Sequence, residues 1–288
     1  MKGTTMDERF SVLMSVYQKE KPAYLRKCFE SLLQQTCPAD EWVLVEDGPL
    51  TTELYAVIAE YNNKFPGLMR IIPLKNNVQL GLALREGILH CSFPLIARMD
   101  TDDICRKDRF EKQLIRFQKN PNLDICGSYI QEFDMSPEEL GTIRRVPLQD
   151  AEIRQYQKRR SAFNHMTVMY KKDAVLRAGN YEHAPLMEDD MLWVRMLLDG
   201  SYGENIDECL VYVRTGRDMI RRRGGWRYFC KYCQARKKIL GTGYISHWDY
   251  LYTAIVQFAV TLMPSWLRGV VFQRLLRSPG SATVSLEE

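Results

Sequence analysis

Short apolar runs alternate with stretches whose apolar residues recur at helical spacing along the N-terminal third of this chain, and that alternation restricts the fold most. Phe10 to Val16 reads as a buried strand. Pro22 then opens a helix carrying Leu25, Phe29, Leu32 and Leu33 on one face. Trp42 to Val45 is the next strand, halted by the turn Glu46-Asp47-Gly48-Pro49; a helix lined by Leu54, Val57, Ile58 and Tyr61 follows. Met69 to Leu74, Leu80 to Leu89 and Leu95 to Met99 continue the series as strand, helix and strand. This repeat predicts an α/β fold with a mostly parallel central sheet, helices on both faces, and ligands at the carboxyl ends of the strands. Asp47 and Asp100 both fall at such ends.

The last of these strands runs into Arg98-Met99-Asp100-Thr101-Asp102-Asp103. Acids so close together repel unless a positive charge lies between them. Hard oxygen donors suit Mg2+ or Mn2+, which share their coordination between carboxylates and the phosphates of a substrate. The plainer alternative is that Thr101, Asp102 or Asp103 caps a helix beginning near Lys107. No G-x-G-x-x-G follows the first strand and no G-x-x-x-x-G-K-[ST] occurs, which disfavours dinucleotide oxidoreductases and P-loop enzymes. The first strand ends instead in Ser15-Val16-Tyr17-Gln18-Lys19-Glu20, a hydroxyl, an aromatic face and an acid suited to a nucleoside. A base can stack on Tyr17 while Asp47 accepts from its imide nitrogen, a donor that uracil has and cytosine lacks. Tyr17 as core and Asp47 as a turn stabiliser is the competing reading. Arg85 and Arg98 are candidate phosphate contacts, and His165 either bonds a diphosphate or the acceptor or is a structural histidine.

Read in order, Ser15-Val16-Tyr17, Glu46-Asp47-Gly48-Pro49, Asn77 with Gly81 and Arg85, Ala97 to Asp103, Asn164-His165, Gly179-Asn180-Tyr181 and Glu188-Asp189 resemble the family 2 glycosyltransferases. The bacterial enzymes that build amylovoran, capsule and O-antigen repeats are the nearest in pattern. The likeness spans roughly residues 8 to 225. It implies a GT-A type fold, a UDP-sugar donor and inversion at the anomeric carbon. It places Asp47 at the base, Asp100 at the ribose, Asp102 (with Asp100) on a divalent metal, and Asp189, within Glu188-Asp189, as the general base. Asn77, Gly81 and Arg85 fall among the donor-binding positions. Glu46 stands where many members have Asp. The Q-x-x-R-W motif of processive members is missing, which argues for adding one sugar per acceptor. The implied acceptor is a polyprenyl-diphosphate-linked glycan, and nucleic acid is not an expected partner.

Domain boundaries follow from this: a transferase domain over 1–216, with a nucleotide-binding half at about 8–105 and an acceptor-binding half at about 106–216, then a helical appendage over 217–288. From Arg214 to Lys238 basic residues crowd around the single acid Asp218, and Arg217, Arg222 and Arg223 are available for phosphates or simply form a solvated face. Tyr250 to Leu267 carries no charge over 18 positions; as one helix it would measure about 27 Å, at the short limit for a span. Gln257 and Pro264 interrupt it, and aromatic and basic flanks favour a helix in the membrane interface. With no secretory signal visible, the expected location is the cytoplasmic face of a bacterial inner membrane, peripherally bound, with its eight cysteines reduced. Two other classes compete: a noncatalytic membrane-associated sugar-nucleotide-binding module, and an aspartate-dependent phosphotransferase using Asp100 and Asp102.

Overall fold

The computed structural model describes residues 9–134, 140–215 and 225–264. Strands β1 (Phe10–Val16), β2 (Glu41–Glu46), β3 (Met69–Pro73) and β4 (Leu95–Arg98) alternate with helices α1 (Pro22–Leu33), α2 (Thr52–Lys64) and α3 (Leu80–His90). There follow β5 (Ile104–Cys105), α4 (Arg109–Lys119), β6 (Leu123–Phe133), β7 (Leu140–Arg144), α5 (Asp150–Gln157), a 3-10 turn (His165–Thr167) and β8 (Met169–Lys171). Then come α6 (Lys172–Arg177), α7 (Glu188–Leu198), β9 (Tyr202–Arg214), α8 (Trp226–Gly241) and α9 (His247–Leu262). One sheet joins all the strands in the order β3-β2-β1-β4-β8-β6-β9-β5, with β7 beside β6.

The four strands legible in the sequence pair in parallel, so their carboxyl ends share one edge. The chain order reverses between β1 and β4, and a crevice opens at such a reversal. Backbone bonds fix its walls: Asp47 N donates to Val16 O (2.8 Å) and Met99 N to Leu13 O (3.0 Å). Asp47 and Asp100 therefore flank the end of β1. The second half enters through antiparallel pairs of β8 with β4 and β6, and through the parallel pair of β6 with β9.

Both sheet faces are covered, as the sequence pattern requires. On β1, Val12, Met14 and Val16 enter a core with Phe29, Trp42 and Phe110, while Leu13 faces the opposite core with Leu84, Ile88 and Trp193. Gly87 lets α3 close on the sheet, since a Cβ there would lie 2.4 Å from Leu13 Cδ1. Pro22 starts α1 at a position where a missing N–H costs nothing. Thr51 caps α2 by accepting from Leu54 N (3.3 Å).

The helical appendage is attached to α7. Met187, Met191 and Val194 meet Ala235, Ile239 and Ile245 in a separate apolar cluster. α9 opens with a reciprocal cap between Ser246 and Asp249, then leaves Trp248, Leu251, Tyr252, Ile255 and Leu262 exposed. Among the described residues, no helix is long and apolar enough to cross a membrane.

Candidate active site

The acids after β4 do not cap α4. That helix starts behind Asp108, which makes no side-chain cap, and the acidic loop is held elsewhere. Thr101 Oγ1 donates to Glu20 Oε2 (3.1 Å), and Asp103 Oδ1 accepts from Arg214 N (2.9 Å). Asp100, Asp102 and Asp103 each bring one oxygen to within 4.8 Å of the others. Burial, with Asp100 and Glu20 beside it, pushes the Asp102 carboxyl up to about 7. Asp100 behaves in the opposite way: burial opposes its charge, but Arg98 and His165 prevail and hold it well below the usual carboxylate range. An oxygen-only donor set whose middle member resists ionisation without a cation fits Mg2+ or Mn2+.

A cavity of about 490 Å³ opens beside these acids. Ser15, Tyr17, Glu20, Asp47, Asn77, Asp100 and Asp102 all line it. Tyr17 is 39% exposed, so it is not a core residue and its ring face is accessible. Asp47 Oδ1 accepts from Val78 N (2.6 Å) and Oδ2 from Asn77 Nδ2 (2.9 Å), which ties the end of β2 to the following loop. That approach needs Gly48, at φ +86°, because a Cβ there would lie 2.6 Å from Asn77 N. Each carboxylate oxygen keeps a further lone pair, so turn stabilisation and base recognition are compatible at Asp47.

A second cavity, of about 380 Å³, holds His165, Glu188 and Asp189, and Leu80 lines both spaces. Asn164 Nδ2 donates to Ser128 O (2.7 Å) and Ser128 N to Thr167 Oγ1 (3.0 Å), fastening the 3-10 turn to β6 and aiming His165 at the cleft. His165 Nε2 lies 3.2 Å from Asp100 Oδ2 and Nδ1 lies 3.3 Å from Asp189 Oδ2. A neutral ring donates to one of these carboxylates at a time; a doubly protonated ring donates to both. Tyr181 Oη donates to the other Asp189 oxygen (3.4 Å), from a wall that includes Trp193. Glu188 and Asp189 open α7, where the helix dipole favours a carboxylate. Burial and the neighbouring Asp189 nevertheless raise the Glu188 carboxyl.

Other expected contacts lie elsewhere. Arg98 is wholly buried, with Nη2 2.9 Å from Asp100 Oδ1. Its charge is met by Asp100 inside the protein, and its burial keeps a phosphate from reaching it. Arg85 is exposed and lines neither cavity, because α3 turns it outward. Gly81 acts through its lack of a side chain: a Cβ would lie 2.9 Å from Glu188 Cβ, so it admits the start of α7. Arg217, Arg222 and Arg223 lie outside the described residues. Two residues were not singled out from the sequence. Tyr181 appeared only within a motif. Arg214 was one of many basic residues, yet its guanidinium sits 3.7 Å from the Tyr24 ring centroid, with Nε donating to Asp102 O (3.3 Å).

Comparison with known proteins matches residues 11–183 to the model of glycosyl transferase family 2. The chain is similar to the amylovoran biosynthesis glycosyltransferase AmsE of Erwinia amylovora, 41% identical over 88% of this chain and 94% of that one. It is also similar to the UDP-Gal:alpha-D-GlcNAc-diphosphoundecaprenol beta-1,3-galactosyltransferase of Escherichia coli, 35% identical over 93% of this chain and 97% of that one. Among solved structures, S. aureus TarS 1-349 in complex with UDP-GlcNAc matches with TM-score 0.56 at 17% identity, covering 72% of this chain and 58% of that one. This last likeness is one of fold, and that fold is the GT-A type expected.

Proposed function

Because the chain belongs to glycosyl transferase family 2, we propose that it moves one sugar from a UDP-sugar to a lipid-linked oligosaccharide during assembly of a bacterial surface polysaccharide, with inversion and with Asp189 as base. The observation that carries the reading is His165, which bridges Asp100 in the donor cavity and Asp189 in the adjoining one. Donor and acceptor chemistry thus meet across a single imidazole. A diphosphoundecaprenol acceptor in the name of one relative and the UDP-GlcNAc bound to TarS support the choice of substrates.

In this reading Tyr17 and Asp47 receive the uracil, and Asp100 and Asp102 would hold Mg2+ or Mn2+. Such an ion, when bound, would supply Lewis-acid stabilisation of the charge on the leaving phosphate. The acceptor hydroxyl oxygen bonds to the anomeric carbon as that carbon's bond to the diphosphate oxygen breaks, and the electron pair leaves with UDP. Asp189 takes the hydroxyl proton, held in place by Tyr181 and His165. Residues 1–216 carry this chemistry, and the appendage beyond them meets the membrane peripherally, on its cytoplasmic face.

The test offers purified protein a panel of UDP-sugars with Mn2+ and a sugar diphosphate lipid, and reads product mass and anomeric configuration. Transfer with inversion is expected. Retained configuration ends the single-displacement reading, and UDP binding without turnover on any donor favours the noncatalytic module.

A further inference from the structure

We propose that the groove between α5, α8 and α9 is the seat of the acceptor's isoprenoid diphosphate, with arginines at its mouth for the diphosphate and its apolar floor for the chain. This deepens the transferase reading and rests on it. The groove, of about 580 Å³, adjoins the cavity that holds Asp189: Arg159, Arg160, Tyr228 and Tyr232 line both. Away from this junction it is bounded by Tyr156, Val256 and Val260.

Three chemistries therefore follow one another from one cavity to the next: a carboxylate base, a guanidinium group, then aliphatic and aromatic walls. A lipid-linked sugar presents the matching series, a hydroxyl, a diphosphate and a hydrocarbon chain. At the junction itself, Arg159 and Arg160 line both spaces and no acid does. Arg236 lines the Asp189 cavity and is 4% exposed, with Nη2 donating to Lys158 O (2.6 Å) and, among the described residues, no ion pair and no partner for Nε. A buried guanidinium with no carboxylate in ion-pair contact is costly, and an anion bound beside it offsets that cost. Arg160 makes no side-chain hydrogen bond or ion pair among the described residues. Arg159 is occupied, paired with Asp249 (2.9 Å) and stacked on Tyr252, and so shapes the mouth. The guanidinium fork matches phosphate oxygens in geometry as well as charge.

The experiment measures equilibrium binding of farnesyl diphosphate, farnesol and inorganic diphosphate to the full chain, with UDP and Mn2+ saturating so that the donor cavity is blocked. Farnesyl diphosphate is expected to bind at least ~10-fold more tightly than either fragment, because both halves of the site contribute. Val256→Asp should remove the gain from the chain, and Arg160→Ala the gain from the diphosphate, each with UDP affinity and the circular dichroism spectrum preserved. Equal affinity for farnesyl diphosphate and farnesol, or variants that bind as the wild type does, overturns the proposal. So does equal loss of binding to vesicles lacking any isoprenoid, which would make the groove a general lipid contact. Wild-type transfer to a long-chain acceptor without preferential farnesyl diphosphate binding removes the groove and leaves the transferase reading standing; preferential binding without transfer does the reverse.

Discussion

The donor side and the base side of this cleft are built in different ways. On the donor side, Asp47 and Asp100 extend from β2 and β4, the parallel strands on either side of β1, and backbone ladder bonds place them before any side chain contributes. On the base side, His165 and Asp189 come from a 3-10 turn and a helix start, and side-chain bonds fasten them: Asn164 to Ser128, Tyr181 to Asp189. Strand ends give a rigid anchor for a ligand that must be gripped. Helix starts and turns give an acid whose position depends on several distant residues.

Asp102→Ala should break the donor side alone. Loss of metal-assisted phosphate stabilisation is expected to cut transfer by ~10³-fold or more, and chelation of the wild type should do the same, with metal-dependent UDP binding lost in both. Titration of UDP binding with and without Mn2+ checks the second half of that expectation.

Asp189→Asn should break the base side alone. A loss of ~10²–10⁴ in kcat is expected with UDP affinity unchanged, read from steady-state rates beside an equilibrium titration. If UDP binding falls in step with kcat, the two sides are one unit and the contrast between them disappears.

His165→Gln tests the joint. An amide keeps one hydrogen bond but cannot bridge both carboxylates, so kcat should fall by ~10–10²-fold through misplacement of Asp189, with a smaller change in donor affinity. A full-rate variant would mean that the bridge contributes nothing to catalysis.

The smallest effect concerns the appendage. Burial alone would raise the Asp249 carboxyl, but Ser246 and Arg159 outweigh it and hold it below its ordinary value. A carboxyl depressed on folding contributes stability that is present above its unfolded value and lost as pH falls through the folded one. Asp249→Asn should therefore cost ~0.5–2 kcal/mol at neutral pH, the range of a lost helix cap, and almost nothing in strong acid. Urea unfolding at two pH values measures both.

The N-terminal elements were legible because their signals are local. β1 spans the residues that its apolar run indicates, and α1 starts at the expected proline. The long strands β6 and β9 were not legible: they pair Leu123 with Tyr202 and Phe133 with Arg214, far apart in sequence, with register shifts that blur any alternation. The acid tip stood out as a compact motif, whereas Arg98 misled as a phosphate ligand because a sequence gives charge without direction. The last residue of a strand can face the core, as Arg98 does.

What the chain determined by itself is the alternation that makes a parallel sheet, the identity of the acids at its edge, and the apolar C-terminal helix, since these depend on residues near one another. What only the tertiary structure decided is the joining of Asp100 to Asp189 through His165, the placing of Arg214 against the acid tip, and the placing of Arg159 and Arg160 between the Asp189 cavity and an apolar groove. Those contacts join segments far apart in sequence, and their distances are set by packing, which no local pattern encodes.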